Sequence, residues 1–133
     1  MKNNENVPEI DSLLDKYKRG NVLVKECPSR RVLQSVTSRW GVLVLFRLRK
    51  GTHRFSELRR QITGVSEKML SQTLQVLENN GFVLRIAHPV IPPHVEYQLT
   101  PNGQEVAMRV EELVVWIELN LESILSDQKE LND

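Results

Sequence analysis

Cys27 and the three histidines, His53, His88 and His94, are the side chains suited to nucleophilic, acid–base or metal chemistry near neutral pH. Spacing assembles no nucleophile, base and orienting group from them, so no catalytic residue is expected and the chain reads as a non-enzyme. His88 and His94 flank a proline-rich segment and could ligate a metal across a hairpin. Phosphate contact is the preferred reading for both, and neither a metal nor any other cofactor is expected. Cys27 precedes Pro28, a residue suited to the first position of a helix because its missing N–H would be unpaired there anyway. A helix N-terminus and the nearby Lys25, Arg30 and Arg31 favour thiolate over thiol, while Glu26 opposes it. Cys27 is therefore a candidate redox sensor, set against the commoner case of a packed, inert cysteine. A single cysteine excludes an internal disulfide and suits a reducing compartment.

A second kind of chemistry is legible between Ser56 and Asn80. If Leu70, Leu74 and Leu77 face inward on one helix, the helical wheel turns Lys68, Ser71, Gln72 and Gln75 outward, with Ser66 at the leading end. Such a face is rich in hydrogen-bonding groups and nearly free of acids, as reading base edges in a DNA major groove requires. Gln72 suits bidentate pairing with adenine, Lys68 guanine or a phosphate, and Ser71 a base edge or the backbone. Arg54, Arg59, Arg60 and Arg85, with His88 and His94, read as phosphate contacts that give affinity and salt dependence rather than sequence choice.

Charge is segregated along the chain. The formal net charge is only +1, yet residues 1–100 carry 16 Lys and Arg against 9 Asp and Glu, and residues 101–133 carry 2 against 8. Residues 25–85 alone hold 12 basic side chains against 4 acidic ones. This pattern predicts a basic surface for a polyanion and an acidic segment held away from it.

Those side chains need elements to hold them. Ile10, Leu13, Leu14 and Tyr17 recur at helical spacing before Gly20. Further helices are predicted from Pro28 to about Thr37, from Arg39 to Lys50 behind a Ser38 cap, from Glu57 to Ile62 behind a Ser56 cap, and from Glu67 to Asn80 behind a Ser66 cap. Arg54-Phe55 is a short extended piece, and Gly64 and Gly81 break the chain between elements. Phe82–Ala87 and an alternating Val95, Tyr97, Leu99 strand form a two-stranded ribbon whose tip is the linker His88–His94. Thr100-Pro101 starts a helix of about five turns with an apolar stripe of Val106, Val110, Leu113, Ile117, Leu121 and Ile124.

This order is mainly α with a small β-wing: a winged helix-turn-helix DNA-binding domain with N- and C-terminal dimerisation helices. The division expected is an arm and short helix over residues 1–24, the DNA-binding domain over 25–100, and a dimerisation helix and tail over 101–133. The stripe on the last helix exposes too much apolar surface to leave in water, and pairing with a second subunit would bury it together with Leu13, Leu14 and Tyr17.

The motifs Cys27-Pro28, Arg39-Trp40, Arg54-Phe55-Ser56-Glu57-Leu58-Arg59-Arg60, Gly64-Val65-Ser66-Glu67-Lys68-Met69-Leu70, Pro92-Pro93-His94-Val95-Glu96-Tyr97 and Leu99-Thr100-Pro101 together resemble the HxlR family of bacterial regulators, relatives of the MarR-type winged helix proteins. The resemblance covers about residues 27–120. It implies a homodimer on an inverted repeat of double-stranded DNA, with the recognition helix in the major groove and the wing near the minor groove. It also implies oxidant or electrophile sensing through a cysteine at the position of Cys27 in some members. A small dimer without a separate effector domain most simply acts as a repressor, by occluding polymerase. The competing reading is a winged helix used only for protein contacts, with the acidic C-terminal helix as its docking surface. The longest apolar run, Val42 to Phe46, is far too short to cross a bilayer, and the N-terminus has no apolar signal core, so a cytoplasmic protein is expected.

Overall fold

The computed structural model describes residues 19–132, without the side chains of residues 130 and 132. The expected N-terminal helix, with the contacts proposed for Leu13, Leu14 and Tyr17, lies outside the described residues. The chain divides into two units, residues 1–35 and residues 36–133.

In the first unit, bends and turns from Arg19 lead into helix α1 (Pro28–Thr37), of which residues 28–35 belong to this unit. Its first turn closes where the Arg30 N–H donates to the Cys27 carbonyl at 3.1 Å, so Cys27 stands at the helix entrance as the Pro28 position predicts.

The second unit is built around helix α2 (Arg39–Leu48), whose start is fixed by the Ser38 hydroxyl accepting the Gly41 N–H at 3.1 Å. Val44, Leu45 and Leu48 on this helix are fully buried. Strand β1 (His53–Arg54) follows, then helix α3 (Phe55–Gln61), helix α4 (Glu67–Asn79), strands β2 (Val83–His88) and β3 (His94–Leu99), helix α5 (Pro101–Leu119) and helix α6 (Leu121–Asn132). The core is a leucine cluster: Leu45 and Leu48 of α2, Leu58 of α3, and Leu70, Leu74 and Leu77 of α4 are each at most 1% exposed. Each such side chain contributes roughly 1.5–3 kcal/mol by leaving water.

Four local expectations are corrected. Ser56 is not a cap; α3 begins earlier, because the Glu57 carboxylate accepts the Arg54 N–H at 2.7 Å and so moves the helix entrance back to Arg54. The ribbon is three-stranded, in the order β1-β3-β2 and antiparallel throughout, because β1 adds to the free edge of β3 with His53 opposite Tyr97 and Arg54 opposite Glu96. His88 and His94 are not linker residues but the last pair of the β2–β3 ladder. Pairing stops beyond them because Pro89, Pro92 and Pro93 have no N–H to donate. The long C-terminal helix is interrupted at Asn120, where φ is −109° and ψ is 12°. Its side-chain amide donates to the Trp116 carbonyl at 2.8 Å, competing for an acceptor within the helix ladder.

Two glycines set the geometry around the site. Gly64 has φ +92° in the turn before α4, a conformation that side chains with a Cβ rarely adopt. Gly103 lets the first turn of α5 press onto the chain entering the wing: a Cβ there would lie 2.0 Å from the Phe82 carbonyl oxygen.

Candidate nucleic-acid interface

Helix α4 presents the predicted polar face because its two faces differ in chemistry at the helical period. Leu70, Leu74 and Leu77 are buried, and Lys68, Ser71, Gln72 and Gln75 are exposed. Ser66 sets the register, its hydroxyl accepting the Met69 N–H at 3.0 Å, so part of its hydrogen-bonding capacity serves the helix start. Gln75 donates to the Asn79 side chain at 3.0 Å along the same helix.

An open cleft of about 850 Å³ runs between α4, the start of α3 and the wing. It brings together Ser71 and Gln75 of α4, Arg54 of β1, Arg85 of β2 and His94 of β3, residues scattered over 41 positions of sequence (54 to 94). Lys68 and Gln72 lie outside its lining, exposed on the same helix. Arg59 and Arg60 border a separate depression with Glu67. There Arg59 Nη1 lies 3.6 Å from Glu67 Oε2, both side chains more than half exposed, a pairing that solvent weakens and that a stronger anion can displace.

Two lining residues escape the sequence reading. Ser56 is exposed and borders both depressions, having been assigned to a helix cap that Glu57 makes instead. Glu78 is an acid within the cleft, and its spacing from Ser71 and Gln75 at sevens and threes was the available signal. The two wing histidines also differ from expectation in their surroundings: His88 Nε2 is 2.5 Å from Glu96 Oε1, and the His88 and His94 rings stack with centroids 4.7 Å apart.

Cys27, in the first unit, is buried, with only 2% of the residue exposed. Burial pushes its thiol up, but the hydroxyl of Ser29 at 3.0 Å, the N–H of Asn21 at 3.3 Å and the N–H of Ser29 together outweigh that and hold it below the ordinary cysteine value. Hydrogen bonds, among them one from the Ser29 N–H at the helix N-terminus, therefore do what the sequence assigns to that N-terminus and to Lys25, Arg30 and Arg31 together. Arg30, one of those cations, instead donates to the carbonyls of Val22 and Leu23 at 2.9 and 3.1 Å.

On the C-terminal helices the expected stripe divides. Val106, Val110 and Ile124 are half-buried, whereas Leu113, Ile117 and Leu121 are exposed. Trp116, Leu119 and Leu125, absent from the predicted stripe, are exposed beside them at 56%, 80% and 51%. No helix among the described residues is long and apolar enough to cross a membrane.

This architecture and sequence have well-matched relatives. The profile of the HxlR-like helix-turn-helix family matches residues 35–125. The HTH-type transcriptional regulator YtfH of Escherichia coli is 60% identical over 119 residues, which cover 90% of this chain and 94% of YtfH. Among solved structures, ytfH from Salmonella typhimurium superposes with a TM-score of 0.80 at 58% identity, covering 84% of this chain and 99% of that one. The redox regulator HypR in its reduced form superposes with a TM-score of 0.67 at 30% identity, covering 74% of this chain and 98% of HypR. The chain belongs to the HxlR-like helix-turn-helix family: it is a transcriptional regulator with a winged helix-turn-helix fold, and not an enzyme.

Proposed function

We propose that this regulator acts in the cytoplasm as a homodimeric repressor on an inverted-repeat operator. The observation that carries the reading is the cleft in which Arg54 and Arg85 flank Ser71 and Gln75, beside the exposed Lys68 and Gln72 of α4. A duplex laid along α4 would meet Ser66, Lys68, Ser71, Gln72 and Gln75 in its major groove. Its phosphates would meet Arg54, Arg59, Arg60, Arg85 and the wing histidines. In this reading residues 25–100 form the DNA-binding domain, residues 1–24 add a dimer contact, and residues 101–133 carry the main one. The exposed Leu113, Ile117 and Leu121 with Trp116 would then be covered by the partner's matching surface. Two-fold symmetry sets the two α4 helices about one DNA turn, roughly 34 Å, apart.

The test is a salt titration of binding to fragments from the promoter of its own gene, with footprinting. A steep fall of log K with log salt and a footprint on two half-sites are expected. A flat salt dependence would favour a winged helix that makes only protein contacts. Sedimentation showing a monomer that still protects one half-site would remove the dimer.

A second reading concerns Cys27. Its hydrogen-bonded, thiolate-favouring setting and the likeness to HypR, a redox regulator, support oxidant or electrophile sensing at this sulfur. Its burial requires that the segment ahead of α1 open before a reagent can reach it. Oxidant should weaken operator binding by the native protein and leave Cys27→Ser unaffected; an unchanged response in Cys27→Ser ends this reading.

A further inference from the structure

The register of the β2–β3 ladder places three metal-ligating side chains together that the sequence shows only as a separated pair and a neighbour. His88 and His94 are directly opposite one another, and Glu96, two residues beyond His94 on the same strand, shares its face of the ribbon. One ligand atom from each of the three residues lies within 4.8 Å of the other two. All three side chains are half-buried, which limits their freedom without closing access from solvent.

We infer that His88, His94 and Glu96 form a binding site on the wing for a divalent transition-metal ion of the zinc, cobalt or nickel type. Two imidazoles and one carboxylate are a recurrent set for such ions, and three protein ligands leave one position for water or another donor. Ligand atoms around a tetrahedral ion bound at about 2.0–2.2 Å sit roughly 3.3–3.6 Å apart. No two of the ligand atoms are farther apart than 4.8 Å, and His88 Nε2 and Glu96 Oε1, now 2.5 Å apart, would separate by about 1 Å to admit the ion. Small side-chain rotations therefore suffice, with the strands staying paired. On entry the ion replaces the hydrogen bond between His88 and Glu96. Nε2 coordinates through its lone pair, and its hydrogen moves to the other ring nitrogen or to solvent.

The neighbouring charge narrows the class of ion. Arg54 is the β1 register partner of Glu96, so a cationic side chain starts from the same face of the sheet as this carboxylate. An ion held mainly by diffuse charge, such as calcium or magnesium, is disfavoured there, and direct nitrogen coordination has to supply the affinity. His94 also borders the cleft described above, so a bound ion would place positive charge at its rim.

The experiment uses the full chain without DNA, which keeps its failure separate from failure of the DNA-binding reading. Cobalt(II) is titrated into the Cys27→Ser protein, which lacks the one thiol, and the visible bands of the tetrahedral ion are followed. One cobalt per protomer, displaced by zinc, is expected. His94→Gln and Glu96→Gln should each weaken binding at least about ten-fold with the circular dichroism spectrum unchanged. A readout on the unsubstituted wing is the paramagnetic broadening of histidine ring resonances by substoichiometric cobalt, expected at His88 and His94 and not at His53. Absence of binding in the micromolar range, binding unaltered in His94→Gln, or broadening centred on His53 would each overturn the site.

Discussion

A backbone hydrogen bond, more than neighbouring charge, tunes one carboxyl of this protein. That carboxyl belongs to Glu57, at the entrance of α3. The Arg54 N–H that it accepts holds its carboxyl below the ordinary glutamate value against a desolvation effect that raises it, and the charges of His53, Arg54 and Arg60 add to the lowering. Because the folded state binds this proton less tightly than the unfolded state, the stabilisation is complete above the unfolded glutamate value. It is lost as pH falls through the lower folded value. Glu57→Gln should therefore lower the urea midpoint at neutral pH, and the gap to the native protein should close on acidification. A constant gap across the acid limb would mean that the charge of Glu57 contributes nothing.

At the scale of elements, the angle of the wing against the helical core depends on contacts that no propensity scale describes. The first turn of α5 is held to the wing by Thr100, whose hydroxyl accepts the Gly103 N–H at 3.0 Å and donates to the Gly81 carbonyl at 2.6 Å. The approach itself is made possible by the missing side chain of Gly103. In Gly103→Ala the new methyl meets a backbone carbonyl rather than a flexible side-chain end, so α5 and the wing must separate. We expect a loss of about 1–3 kcal/mol in urea unfolding. At the other end of α2, Arg49 reaches Glu111 at 3.4 Å and Gln104 at 3.3 Å on α5. Both contacts are long and partly solvated, so apolar packing carries most of the stability of that helix pair.

For the whole molecule, the unresolved balance lies in the apolar surface of α5 and α6. Val106 and Val110 are drawn partly into the protomer, while Leu113, Trp116, Ile117 and Leu121 are left 41–56% exposed. Under the dimer proposal these side chains are the centre of the interface, where a buried tryptophan is a frequent energetic anchor. Trp116→Glu would place two carboxylates near the two-fold axis of an already acidic segment. The dimer should weaken by about 2 kcal/mol or more, roughly thirty-fold, in sedimentation equilibrium. The protomer should keep its helical circular dichroism, because Trp116 is not part of the leucine core. A variant that dimerises like the native protein would move the interface elsewhere.

Local physics written in the sequence determined much of this protein. Leu70, Leu74 and Leu77 at helical spacing oriented α4 and with it the exposed Lys68, Ser71, Gln72 and Gln75, and Ser38, Ser66 and Thr100 marked helix starts by the hydrogen bonds that only their side chains could make. Tertiary structure alone decided which distant residues meet. The β1–β3 pairing, the presence of Arg54 and Arg85 in the lining of one cleft and the gathering of His88, His94 and Glu96 all depend on strand register, which non-local packing fixes and no single segment encodes. The same holds for Cys27: its place at a helix entrance was legible from Pro28, but the Asn21 and Ser29 donors that favour its thiolate come from the folded path of the chain around the sulfur.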